Sequence, residues 1–295
     1  FARTDKSSLG QWWWTVDRTL LGAIAVLMTL GITLVMAASP SVAERIGTTS
    51  MHFVMKHLIY LTPSVILMLG LSFLNERQIW RIATCVLAAM FILMILVLCV
   101  GAEIKGAQRW IDFSFFSLQP SEFAKPAFAV FAAWLFAQKK ENPAFPGDIL
   151  AGGIYFVLIT LLLLQPDFGM TMVITAMFAT QIFLAGLRFR YLIGFIALCV
   201  TGVFLAYFSI THVQSRIDRF LDPASGDNYQ IERSIEAIKY GGTLGTGPGQ
   251  GVMKSRIPDA HADFIFSVGA EEYGFIFVIA LLLLYGYIIY RIIQH

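Results

Sequence analysis

The side chains in this sequence best placed to do chemistry are charged groups set at the edges of apolar runs. Asp263 follows His261 and opens a long hydrophobic stretch, with Ser267 and Glu271 recurring one and two helical turns further along nearly the same face. A polar face within an otherwise apolar helix must point into the protein or a wet cavity, because an ionised side chain at mid-bilayer costs about 2.5 kcal/mol or more. Glu122 and Lys125 stand three residues apart on another apolar stretch, close enough to pair on one helical face. Asp167 lies in Gln165-Pro-Asp-Phe-Gly169, a sharp break that puts a carboxylate at the start of a helix, where the N-terminal dipole favours it. Lys105 and Arg109 flank a loop beside Trp110, and Arg216 sits in a longer polar segment. Carboxylates with neighbouring imidazole and hydroxyl groups suit proton transfer, and the cations suit anion binding. Each also has a structural reading: a salt bridge for Glu122 and Lys125, a helix cap for Asp167, interfacial anchoring for Lys105 and Arg109.

The elements that must position these groups are membrane spans. The 295 residues are 57% hydrophobic and 14% charged, with a mean hydropathy of +0.71, more apolar surface than one soluble core can bury. Windows of about 20 apolar residues, the length a helix needs to cross a bilayer, fall near 19–38, 57–74, 82–101, 122–138, 149–165, 168–187, 191–210 and 264–290. The expected fold is all-α, a polytopic transmembrane helical bundle of about eight spans forming a single transmembrane domain over 1–295. Basic residues of the short connections divide unevenly: Arg3, Lys6, Arg18, Arg77, Arg81, Lys139, Lys140, Arg188, Arg190 and Arg291 share one side, against Arg45, Lys56, Lys105 and Arg109 on the other. The positive-inside rule then puts both termini, including residues 1–18, in the cytoplasm and the long 211–262 loop outside.

That loop exceeds ordinary connection lengths, which usually signals function. Residues 229–240 carry Ile231, Ile235 and Ile238 at helical spacing and predict a short amphipathic helix on the membrane surface. The run from Gly241 to Gly251 predicts a turn-rich backbone whose amides are free to approach a phosphate or a sugar, or else a flexible connector. It lacks the Gly-Lys-Ser/Thr ending of a nucleotide P-loop. A net charge of +2 with no basic run interleaved with aromatics sets nucleic acid aside. Cys85, Cys99 and Cys199 lie in apolar stretches without metal-ligand spacing. The polar, tryptophan-rich start precedes a full-length span rather than forming a cleavable signal peptide, and a chain opening on Phe1 reads as a portion of a longer protein.

Lys105-Gly-Ala-Gln-Arg-Trp-Ile111, Gln119-Pro-Ser-Glu-Phe-Ala-Lys125, Gln165-Pro-Asp-Phe-Gly169, Tyr229-Gln230, and Pro258-Asp-Ala-His-Ala-Asp-Phe-Ile-Phe266 with Glu271-Glu272 together resemble the SEDS family of peptidoglycan polymerases. They stand in the family's order and spacing, and Asp17-Arg-Thr-Leu-Leu is more similar to the division branch than to the elongation branch. Two departures stand out: the family pattern has ten spans, and Ala262 occupies a position where many members carry threonine. The resemblance implies polymerisation of lipid II, an undecaprenyl-pyrophosphate-linked disaccharide-pentapeptide, at the outer membrane surface. It implies Asp263 as the catalytic carboxylate that takes the acceptor hydroxyl's proton. Lys105, Arg109, Glu122, Lys125, Asp167, Arg216 and His261 follow as substrate-binding residues. A pyrophosphate leaving group needs neutralisation as charge grows, from Lys105, Arg109, Arg216 or a divalent cation such as Mg or Mn, although the sequence requires no cofactor. The implied companions are a class B penicillin-binding transpeptidase and other division proteins at the septum of the inner membrane. A lipid II flippase and a non-catalytic division scaffold are the alternative classes.

Overall fold

A computed structural model describes residues 7–104, 107–113, 116–186, 189–209, 211, 213–214, 218 and 229–294. The helices are α1 (Ser8–Thr15), α2 (Arg18–Ile46), α3 (His52–Ser72), α4 (Glu76–Val100), α5 (Pro120–Glu141), α6 (Gly147–Leu164), α7 (Phe168–Leu184), α8 (Phe189–Ser209), α9 (Tyr229–Gly241) and α10 (Ile265–Gln294). Eight of these fall on the eight expected windows. Among the described residues α2, α3, α4, α6 and α10 are long and apolar enough to cross a membrane, and α7 and part of α8 are shorter apolar helices. The ends are set by ordinary capping: Asn75 and Gln78 form a reciprocal capping box at α4, and Gly47 closes α2 in the left-handed region, where a side chain would be strained. Apolar side chains such as Ile59, Ile66, Ile92, Phe156 and Leu198 remain exposed on the protein itself, as lipid-facing positions do.

The chain divides into two compact units, Leu74–Asp222 and Phe1–Phe73 with Pro223–His295. In the Leu74–Asp222 unit, Phe128 of α5 packs in a continuous core with Met94, Leu158, Leu162, Ile174 and Phe178, so α4 to α7 are held by interlocking large side chains. Between α4 and α5 lies a feature the all-helical reading did not foresee, an antiparallel sheet in the order β1 (Ala102–Ile104), β2 (Ala107–Phe113), β3 (Phe116–Leu118). Ala102 pairs with Trp110 and Ile111 with Leu118, fixing the register of the loop that carries Arg109.

In the other unit, Ala37, Ala38 and Val42 of α2 pack against Ala237 of α9, Ile257, Ala260 and Val268 of α10. Helix α10 is not one continuous helix. Gly274, at φ 78 and ψ −177, interrupts it, a conformation open in practice only to glycine. The amides of Phe275 and Ile276 donate to the carbonyls of Gly242 and Thr243, while the carbonyls of Glu271 and Glu272 accept from the amides of Thr246 and Gly247. The glycine-rich loop thus satisfies the backbone groups that the break leaves open, the condition for irregular backbone in a membrane protein.

Candidate functional site

Asp263 occupies the turn immediately before α10, not the helix itself, and its side chain is exposed. Ser267 and Glu271, expected to continue its face, are buried and directed into the unit. Ser267 Oγ lies 2.5 Å from Ser234 Oγ of α9. Glu271 receives the amides of Met253 at 2.6 Å and Lys254 at 2.8 Å, one on each carboxylate oxygen, and so caps the 3-10 turn Met253–Arg256. Burial thus falls on the helical successors of Asp263, while Asp263 itself makes no hydrogen bond or ion pair with the described residues. It is a carboxylate left open at the end of a firmly held segment.

His261, two residues earlier, lies against Phe53 with ring centroids 3.8 Å apart. Burial lowers its pKa below the ordinary histidine value, against the opposing pull of Asp259 and Asp263. The same segment is tied to α2 by Arg45, whose guanidinium donates to the carbonyl of Ile257 at 3.0 Å.

Lys254 and Glu272 did not stand out as site residues in the sequence, yet both are buried and paired with each other. The Lys254 ammonium also donates to the carbonyl of Ala37 at 2.8 Å, and Glu272 accepts the amide of Gly249 at 2.9 Å. Two adjacent acids inside an apolar run, followed by Gly274, were the available signal. The picture of Gly241–Gly251 as a loop of free amides is likewise corrected. Its amides at Gly245, Thr246, Gly247, Gly249 and Gln250 are all engaged within the protein. Three of those five bond Glu271 or Glu272. Its glycines are there for closeness: a Cβ at Gly245 would stand 2.2 Å from the Glu272 carbonyl oxygen, and one at Gly241 would stand 2.0 Å from that of Ala270.

The remaining candidates lie in the Leu74–Asp222 unit. Arg109 and Asp167, singled out separately, are brought together at 3.6 Å, with Arg109 also donating to the Pro166 carbonyl at 2.8 Å. Asp167 is buried and caps α7 by accepting the amide of Met170, and Gln119 approaches its other oxygen at 3.4 Å. The family-like Gln119, Arg109 and Gln165-Pro-Asp motifs therefore converge on one polar junction. Glu122 and Lys125 pair at 2.7 Å in the opening turns of α5, with Glu122 about half exposed, so the pair stands at the helix end and not at mid-span. Lys105 and Arg216 lie outside the described residues.

Comparison with known proteins accounts for this arrangement. A family model for the FtsW/RodA/SpoVE cell cycle proteins matches residues 18–295. A Caulobacter vibrioides protein named "Probable peptidoglycan glycosyltransferase FtsW" is 44% identical over 99% of this chain and 75% of its own length. A solved chain described under "Structural coordination of polymerization and crosslinking by a peptidoglycan synthase complex" superposes with a TM-score of 0.71 at 27% identity, covering 95% of this chain and 77% of that one. The rod shape determining protein RodA of Thermus thermophilus gives a TM-score of 0.63 at 26% identity, covering 95% and 74%. With its motifs, its helices and nearly its whole length matched, the chain belongs to the FtsW/RodA/SpoVE family of cell cycle proteins.

Proposed function

We propose that this protein polymerises lipid II into glycan strands on the outer face of the bacterial inner membrane, with Asp263 as general base. Peptidoglycan glycosyltransfer in cell division is the activity its relatives' names carry, and membership of the family brings it to this chain. The observation that carries the residue assignment is the open carboxylate of Asp263, held beside His261 at the end of a segment anchored to α2 and α10. In the reaction the acceptor hydroxyl loses its proton to Asp263 as its oxygen bonds the donor's anomeric carbon. The bond from that carbon to the pyrophosphate oxygen breaks, and undecaprenyl pyrophosphate departs. A pyrophosphate leaves without strong acid assistance, so cationic neutralisation is what the site must add. Arg109 shares its charge with Asp167, which shifts that task toward Lys105 and Arg216. Among the described residues no group of three His, Cys, Asp or Glu side chains gathers to hold a metal ion, and no step is assigned to one.

The orientation with both termini cytoplasmic and 211–262 outside rests on the basic-residue asymmetry. A septal location and a crosslinking transpeptidase of the class B penicillin-binding type as partner are supported by the relatives' names and by the polymerising and crosslinking complex among the similar structures. The test is strand synthesis by purified full-length protein. Asp263→Asn keeps size and most hydrogen bonding but cannot accept the proton, so turnover should fall by about 100-fold or more with lipid II binding retained. Asp259→Asn is the control, since Asp259 sits at φ 52, a backbone conformation asparagine tolerates. Near-normal synthesis by Asp263→Asn overturns the assignment. Transfer of lipid II between leaflets without any polymer would favour the flippase.

A further inference from the structure

Glu271, Glu272 and Lys254 are three ionisable groups buried within one unit, outside the reacting carboxylate, and buried charge is retained only where it is paired and hydrogen-bonded. Their partners share a destination. Glu271 binds the two amides that open the 3-10 turn, Lys254 ties that turn to α2 through Ala37 and to α10 through Glu272, and the backbone then runs through Ile257 and Ala260 to Asp263. Ile257 and Ala260 are wholly buried, so this stretch has little freedom once its first turn is fixed. We propose that Glu271, Glu272 and Lys254 are positioning residues for the polymerase reaction: they set where the Asp263 carboxylate stands without touching substrate. The inference rests on the assignment of Asp263 as the base.

The physical case turns on adjacency. Each Glu271 oxygen takes one of two successive amides, a pattern that a carboxylate completes and a carboxamide does not, because one end of the amide group is itself a donor. Glu271→Gln should therefore loosen the turn while preserving volume. A second variant reaches the same carboxylate from another side with no change of charge: a Cβ at Gly251 would stand 2.9 Å from the Glu271 carboxyl carbon, so Gly251→Ala must displace it. Misplacing a reacting group by about 1 Å can cost on the order of 100-fold in rate.

Both variants are to be made in the full chain and measured for turnover, half-saturating lipid II concentration and amide hydrogen exchange. The expected result is turnover reduced about 10- to 100-fold, half-saturation within about twofold of the parent, and faster exchange confined to the 253–263 segment. Higher half-saturation with unchanged turnover would place Glu271 in substrate binding and overturn the proposal. So would lost turnover without faster exchange, normal behaviour of both variants, or failure of both to insert, which would assign the cluster to the fold as a whole. Asp263→Asn separates the two levels of argument: if it retains synthesis the base assignment fails, whereas the exchange result stands or falls by itself.

Discussion

Gly274→Ala offers the most direct test of the broken α10, because a continuous helix and an interrupted one predict opposite signs. In a regular helix alanine is preferred to glycine by about 1 kcal/mol. Here the added methyl meets the Gly245 nitrogen at 2.3 Å and the Thr243 oxygen at 2.5 Å, and the backbone at φ 78 and ψ −177 is strained for any other residue by about 1–3 kcal/mol. Relieving the clash means moving the glycine loop away, which puts at risk the four bonds joining Gly242, Thr243, Thr246 and Gly247 to α10. At about 1 kcal/mol each, losing half to all of them brings the total to about 3–7 kcal/mol, a large share of a typical folding free energy. Thermal unfolding of detergent-purified protein, followed by loss of the monodisperse peak, should show Gly274→Ala well below the parent. Gly286→Ala lies in the same helix with open space around the new methyl and should unfold at or above the parent's temperature. Equal or greater stability of Gly274→Ala would refute the break and the loop's role in repairing it.

Arg109→Ala should destabilise by about 2–3 kcal/mol, short of a fully buried pair's cost because Arg109 stays about a quarter exposed; Asp167→Asn added to it should recover part of the loss, and additive losses in thermal unfolding would refute the pairing. Cysteines placed at Lys139 and Gly247 in a cysteine-free background should differ in intact cells, with only position 247 labelled, and the reverse pattern would invert the topology. Burial holds His261 below the ordinary histidine value of about 6.5, among Asp259, Asp263, Arg45 and Lys56. The folded protein therefore resists protonating it, so its contribution is complete above that value and is lost as pH falls from there through the lower folded one. His261→Phe should flatten the fall in unfolding temperature between about pH 7 and 5, and equal slopes in both proteins would contradict this.

The spans were legible because hydropathy over about 20 residues integrates many weak preferences, and the boundaries at Asp17, Asn75 and Asp167 follow capping residues visible in the chain. The sheet was not, since strands such as Phe116–Leu118 are too short for alternation to stand out. The α10 break was hidden for a different reason: the apolar pattern runs on through Gly274, and a glycine's conformation depends on what approaches it, here Thr243, Leu244 and Gly245 of a distant loop. The place of Asp263 at a span's edge was visible in the sequence, but not the partners that hold its segment. Lys254 looks like any loop lysine until Glu272 and the Ala37 carbonyl surround it.

Helices α2 and α10 are fastened together at two levels, by Arg291 on Asp17 at 2.5 Å and by Lys254 on Ala37 and Glu272. Hydrogen bonds from Thr19 and then Arg291 hold the Asp17 carboxyl well below the usual carboxylate range, so the first fastening stays charged throughout the physiological range. At 1.5 Å per residue, Asp17 to Ala37 is about 30 Å, close to the ~30 Å thickness of a bilayer's hydrocarbon core, and the regular part of α10 past the Gly274 break, Phe275 to Arg291, is about 24 Å. A helix pair pinned at both levels cannot match a thinner or thicker bilayer by tilting one member alone: the two tilt together or the bilayer deforms around them. The α2 turns beyond Ala37 carry Val42 and Arg45, and with them the Ile257–Asp263 segment, about 8–12 Å past the upper fastening. A segment that far beyond an apolar length matched to the hydrocarbon core falls at headgroup depth, so a change in bilayer thickness that tilts the pair also shifts the depth of the Ile257–Asp263 segment.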